Sequence, residues 1–193
     1  GNLEEAMNTL VGMDATHRGR ATLIPAQLQK RIDIETLLPD EIERHPWAGH
    51  LGMPMTDKVV QAIHAARSTL IFTNTRSQAE LWFQGLLRRD PQLIGALGLH
   101  HGSLERDIRR EVEQLLRDGR MKAVVCTSSL DLGVDFAPVD QIIQIGSPKG
   151  IARLVQRAGR SGHQPDAVSR VMGVPTNALE LVEFAAARDA LKA

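Results

Sequence analysis

Arg157 and Arg160 stand three positions apart in the octet Gln156-Arg157-Ala158-Gly159-Arg160-Ser161-Gly162-His163. That spacing puts two guanidinium groups on one face of a helix. Ile151, Leu154, Val155 and Ala158 fall at i, i+3, i+4, i+7, the pattern of a buried helical stripe. A rotation of about 100° per residue turns Arg153, Arg157 and Arg160 to the opposite, outward face. Permanently charged, forked donors on an exposed helix end, with Gln156 beside them, suit an anion such as a phosphate. Two arginines alone would also serve a solvated basic helix end. The glycines, the glutamine and their spacing make the octet more specific than that.

Three other polar clusters each follow an apolar run. Phe72-Thr73-Asn74-Thr75-Arg76-Ser77 leaves a strand through hydroxyl and amide side chains and an arginine. Beside free helix N–H groups, Thr73, Asn74 and Arg76 suit phosphate oxygens; the same residue types also form turns and caps. His100-His101-Gly102-Ser103 places two histidines in adjacent positions, which diverge, and no third ligand lies near in sequence. Zinc is therefore not expected there; one ring packs and the other is solvated. Thr127-Ser128-Ser129-Leu130-Asp131-Leu132-Gly133-Val134-Asp135-Phe136 opens with hydroxyls that can bond a phosphate. Gly133 permits close backbone approach. Asp135, an acceptor when ionised, can hold a ribose hydroxyl or orient an arginine or a water.

The elements that position these clusters are legible from periodicity. Leu3, Ala6, Met7, Leu10 and Val11 make an amphipathic helix ended by Gly12, and extended segments follow at Ala21–Pro25 and Gln27–Glu35. Residues 39–55, rich in Pro and Gly, read as a surface linker or insertion. Thr56 caps a helix to about Ala66, and Thr69–Thr73 is a strand. Ser77-Gln78-Ala79-Glu80 has capping-box spacing and opens a helix that buries Ala79, Trp82, Phe83, Leu86 and Leu87. A strand at Ile94–Leu99 and a helix from Ser103 burying Leu104, Ile108, Val112, Leu115 and Leu116 come next. Lys122–Cys126, Gln141–Ile145 and Val168–Val174 are further strands, and Thr176 caps a last helix ending near Leu191. Strands alternating with helices, nearly continuously apolar, specify an α/β fold with a mainly parallel central sheet covered on both faces. Ligands gather at the carboxyl ends of such strands, where every polar cluster falls.

Bulk properties narrow the function classes. The chain of 193 residues carries 23 Lys plus Arg and 23 Asp plus Glu, a formal net charge of zero. Polyanion binding must therefore come from a local patch. Cys126, the single cysteine, sits in an apolar run and reads as a buried strand residue in a reducing compartment. No apolar run approaches the roughly 18 residues of a membrane helix, so the expectation is a cytoplasmic protein with no membrane partner.

Taken in order, the four clusters resemble motifs IV, IVa, V and VI of superfamily 2 DEAD/DEAH-box helicases. They span Thr69 to His163. The wording of Ile71–Ser77, His101–Leu104 and Ile145–Gly150 is similar to that of the Lhr (large helicase-related) group, and the opening Gly1–Ala6 looks like the segment that follows motif III there. The resemblance covers essentially the whole chain. It implies the second RecA-like domain of a DNA helicase, a P-loop NTPase-type three-layer fold, over residues 26–193, with 1–25 as the end of a first RecA-like domain. It implies that Arg160 first and Arg157 second act as catalytic arginine fingers, and that Gly133, Asp135, Gln156, Arg157 and Arg160 face ATP. Thr73, Asn74, Arg76, His101, Gly102, Thr127 and Ser128 would face nucleic acid. Relatives often end motif VI on a third arginine where this chain has His163.

The implied cofactor is ATP with Mg²⁺, held mainly by the first RecA-like domain. The implied partners are that domain, in the same parent chain, and single-stranded DNA or a DNA/RNA hybrid. Movement from 3′ to 5′ in DNA repair follows from the resemblance alone. The chain contains no G-x-x-x-x-G-K-[ST] phosphate loop. Gly146-Ser147-Pro148-Lys149-Gly150 has the wrong spacing, and Pro148 lacks an N–H that a phosphate would need. Asp40-Glu41 has no apolar strand before it and does not make a Walker B pair. The expectation is half an enzyme, inactive alone. The competing expectation is a nucleic-acid-binding module with no ATPase role, against which the low aromatic content (no Tyr, two Trp) disfavours base stacking. A small-molecule enzyme on a doubly wound sheet would lack its GxGxxG fingerprint.

Overall fold

A computed structural model describes residues 3–11, 31–39, 52–131, 139–162 and 168–191. Six strands form one sheet: β1 (Ile32–Thr36), β2 (Thr69–Phe72), β3 (Leu97–His100), β4 (Ala123–Cys126), β5 (Gln141–Ile145) and β6 (Ser169–Val174), in the spatial order β1-β6-β5-β2-β4-β3. Every pairing is parallel. The helices are α1 (Leu3–Val11), α2 (Thr56–Ala65), α3 (Arg76–Arg89), α4 (Arg106–Arg117), α5 (Ile151–Ala158) and α6 (Ala178–Ala190).

The alternation of side chains along each strand divides the sheet between two cores. Leu70, Phe72, Val124, Cys126 and Ile142 point to one face and pack with Val112 and Leu116 of α4, Leu154 and Ala158 of α5, and Phe184 and Ala187 of α6. Ile71, Ala123, Val125, Ile143 and Ile145 point to the other and pack with Val59 and Ile63 of α2 and Ala79, Trp82 and Leu86 of α3. This is why the central strands β2 and β4 read as largely apolar runs: both their faces are buried. Phe184 lies against Gly173 so closely that a Cβ there would come within 2.7 Å of the ring, which fits a glycine in β6. The expected three-layer α/β arrangement is what forms.

Several boundaries differ from expectation, each for a local reason. Thr75, not Ser77, caps α3: its hydroxyl accepts from Gln78 N at 3.2 Å, while Gln78 Oε1 reaches back to Asn74 N at 3.1 Å. The capping box exists, two residues earlier. Asn177 rather than Thr176 caps α6, accepting from Glu180 N, and buried Thr176 instead gives its N–H and O–H to Glu180. Thr56 is the first residue of α2, after a 3-10 turn at Met53–Met55, and its hydroxyl donates back to Met53 O. Ser103 precedes the start of α4, and Ile108 is 46% exposed, outside the buried stripe. β3 begins at Leu97, leaving Ile94 exposed. Gly52 is buried, with a φ of 72° that suits glycine, facing Thr176 and Trp82. The end of the expected surface linker is therefore packed. Residues 12–30, including Gly12, Ala21–Pro25 and the start of the second extended segment, and residues 40–51, including Asp40-Glu41, lie outside the described residues. Among the described residues no helix is long and apolar enough to cross a membrane.

Candidate functional site

Because the strands are all parallel, their carboxyl ends share one edge of the sheet. Backbone bonds extend the ladder past it: Thr73 N donates to Cys126 O at 2.8 Å, and Thr127 N to His100 O at 3.2 Å. The turns after β2, β3 and β4 consequently lie side by side. Arg76, Gly102 and Ser128 are exposed on this rim together with Thr75, Ser77 and Ser103, and Asn74 and Thr127 are half-buried. Arg76 Nη1 donates to Ser103 Oγ at 3.2 Å, linking the first turn to the second. Space around Gly102 is open, with nothing within 4 Å of where a Cβ would stand.

Two residues expected at this surface sit beneath it. Thr73 is fully buried, and its hydroxyl is turned to the carbonyls of Thr75 and Cys126, both at 3.2 Å. His101 is also buried. Its Nδ1 accepts from Ser103 N at 3.3 Å, and Nε2 lies 3.2 Å from Glu80 Oε1 without hydrogen-bond alignment. His100 is buried as well, so the expectation that one ring is solvated is corrected: α3 and α4 close over both. Among the described residues no three His, Cys, Asp or Glu side chains gather as a metal site.

The arginine helix departs most from its expected geometry. Arg157 does not face outward; it is 1% exposed on the inner side of α5, with Leu154 and Ala158. Its Nε and Nη2 donate to the two oxygens of Asp131 at 2.8 and 3.2 Å, and Nη1 donates to Gln144. The guanidinium also stacks over Phe72, 4.5 Å from the ring centroid. A buried charge needs such a full set of partners. In exchange, Ile151 and Val155, assigned to the buried stripe, are partly exposed. Arg160 lies past the end of α5, half-buried, with Nη2 donating to the main-chain carbonyl of Asp131 at 2.8 Å. Gln156 donates to that same carbonyl at 3.2 Å, and Arg153, largely exposed, stands 4.0 Å from the Asp131 carboxylate.

Asp131 is thus the hub that the residue pattern did not single out, although it lies inside the quoted cluster. Gln144 was missed too: from β5 it donates to the carbonyls of Ile145 and Gly146 at 3.0 and 3.3 Å. The one signal available was a polar residue inside an otherwise apolar strand. Cys126 is buried, as expected, and burial pushes its thiol well above the usual range despite the opposing charge of Arg157. The segment after β5 carries left-handed conformations at Gly146 (φ 74°) and Lys149 (φ 59°) before Gly150 leads into α5. Gly133, Asp135 and His163 lie outside the described residues.

The helicase conserved C-terminal domain family matches residues 53–164. An ATP-dependent helicase Lhr-Core of Saccharolobus solfataricus is 34% identical over 185 residues, covering 94% of this chain and 21% of that protein. A Lhr helicase/uracil glycosylase of Escherichia coli is 32% identical over 181 residues, covering 79% of this chain and 10% of its own length. The chain thus spans about a fifth or less of the length of these curated relatives. Among solved structures, Mycobacterium smegmatis helicase Lhr bound to ssDNA and AMP-PNP superposes with a TM-score of 0.76 at 30% identity, covering 84% of this chain and 22% of that one. A RecA-like parallel sheet in a chain that carries this octet therefore has a family: the chain belongs to the helicase conserved C-terminal domains, of the Lhr type.

Proposed function

We propose that this chain is the second RecA-like domain of an ATP-dependent DNA helicase or translocase, moving 3′ to 5′ in DNA repair. ATP and Mg²⁺ bind a first RecA-like domain of the same parent chain, whose last piece is α1. Arg160 reaches across as the arginine finger, assisted by Gln156, Gly133 and Asp135. A guanidinium placed where charge develops on the transferring phosphoryl group lowers the barrier without moving a proton. Arg157 keeps to the interior and holds the helix in place. What supports the assignment is the side chain of Arg160: past the end of α5, half-buried, with its guanidinium bonded to the carbonyl of Asp131, which closes the turn that begins at Thr127.

Arg76, Gly102 and Ser128, with Asn74 and Thr127, contact the sugar–phosphate backbone of single-stranded DNA or of a DNA/RNA hybrid, while Thr73 and His101 shape the turns from beneath. Contacts to the backbone carry no sequence information, as a translocating enzyme requires. Closure and reopening of the cleft between the domains move this rim relative to the first domain's grip, one step per ATP.

In the parent protein, Arg160→Ala is expected to lower DNA-stimulated ATP hydrolysis by about 10³-fold or more, the usual worth of an arginine finger, with single-strand affinity within about twofold of wild type. Hydrolysis within about tenfold of wild type (1.4 kcal/mol) would refute the finger assignment and favour a binding module without an ATPase role. The isolated chain is expected to turn over no ATP.

A further inference from the structure

Strands β2, β4, β5 and β6 end on the buried apolar residues Phe72, Cys126, Ile145 and Val174, whereas β3 ends on the imidazole of His100, 1% exposed. Burying a polar ring is costly unless both nitrogens find partners. Here both do: Nδ1 lies 2.8 Å from Ser129 Oγ, and Nε2 lies 2.9 Å from Glu113 Oε1 on α4. Ser129 sits in the short 3-10 turn Ser128–Leu130, next to the exposed Ser128, and receives the Thr127 hydroxyl at 3.5 Å.

We propose that His100 is a positioning residue for the nucleic-acid rim, anchored on Glu113 and holding the Thr127–Ser129 turn through Ser129. This rests on the assignment of that rim to nucleic acid. The protons follow from the partners. A carboxylate only accepts, so Nε2 carries the ring hydrogen and Nδ1 is left as an acceptor. The Ser129 hydroxyl then donates inward to Nδ1 rather than to the His100 carbonyl 3.1 Å away. With that proton committed, Ser129 Oγ presents lone pairs to Thr127, and the Thr127 hydroxyl is held in one orientation at the rim. Burial pushes the His100 pKa below the usual imidazole range, against the pull of Glu113 and with the Arg109 charge adding to the effect. The ring stays neutral at pH 7, as this arrangement requires.

Two substitutions separate positioning from mere support. Asparagine places its carbonyl near the site of Nδ1 and keeps the Ser129 bond; glutamine places its amide near Nε2 and keeps only the Glu113 bond. Both lose ring volume, so a purely structural role would penalise them alike. For this 193-residue chain, titrated against a labelled oligothymidylate, His100→Gln and Ser129→Ala are expected to bind about five- to tenfold more weakly, the worth of one net hydrogen bond. His100→Asn is expected to stay within about twofold of wild type, even where its melting temperature falls as far as that of His100→Gln. In nitrogen NMR at pH 7 the ring should show a protonated Nε2 and a bare Nδ1. Binding by His100→Gln and Ser129→Ala equal to wild type, or a protonated Nδ1, would overturn the inference alone. No binding by the unaltered chain would overturn the nucleic-acid assignment and this inference together.

Discussion

Asp131→Ala removes the carboxylate that Arg157 faces through both Nε, at 2.8 Å, and Nη2, at 3.2 Å. The guanidinium remains 1% exposed, so water does not take the lost place. At an effective dielectric near 20 a unit pair about 4 Å apart attracts by about 4 kcal/mol. Measured losses on breaking a buried pair from one side are of the same size, about 3–5 kcal/mol. The Phe72 contact, about 0.5–2 kcal/mol, exists before and after the change and cancels. Against a total stability of roughly 5–15 kcal/mol, the loss corresponds to a fall in Tm of about 6–20 °C for a domain of this size. Asp131→Leu with Arg157→Met replaces both charges by apolar side chains, and is expected to recover most of that loss because neither charge is left uncompensated. Urea unfolding followed by circular dichroism measures Asp131→Ala, the double variant and its two single changes, closing a double-mutant cycle with a coupling of about 3 kcal/mol. If Asp131→Ala loses less than about 1 kcal/mol, or the double variant loses the sum of the two singles, Arg157 is not held as described and faces outward after all.

Two further outcomes concern stability. Thr75→Ala is expected to cost about 1 kcal/mol by removing the cap of α3, and Ser77→Ala less than about 0.5 kcal/mol; the reverse ranking in thermal melts would move the helix start back to Ser77. The neutral His100 ring also makes stability depend on pH. Its folded pKa is lowered, so between the folded value and the unfolded value of about 6.5 the unfolded chain binds the extra proton. Stability is therefore level above about pH 7 and falls as pH drops through that window. In wild type versus His100→Asn, urea midpoints should diverge in slope between neutral and mildly acid pH; parallel slopes would show that His100 is not the group responsible.

Much of the fold was legible because two-sided burial leaves a local trace. Ala123–Cys126 and Gln141–Ile145 are strands that almost any apolar count would find, and the parallel sheet follows from their alternation with helices. Cap positions were less legible. Thr73, Asn74, Thr75 and Ser77 all carry suitable oxygen atoms, and the one that caps depends on where Ala79, Trp82 and Leu86 seat the helix against the sheet. Ile108 shows the same limit, since a helical stripe predicts a face and the neighbouring elements set its width.

The arginine octet marks the division most clearly. The sequence by itself determined the charge, the spacing and the family resemblance of Gln156–His163, because those depend only on residue order. Residue order also implied that Arg153, Arg157 and Arg160 all face outward, since polar type and helical period are all it contains. Only the tertiary structure separated them. Asp131 comes from the turn after β4, Gln144 from β5 and Phe72 from β2, far apart in the chain, and together they give one buried guanidinium a full set of partners. Arg157 takes that place, and Arg160, past the last turn of the same helix, stays half-buried and bonds the Asp131 carbonyl instead.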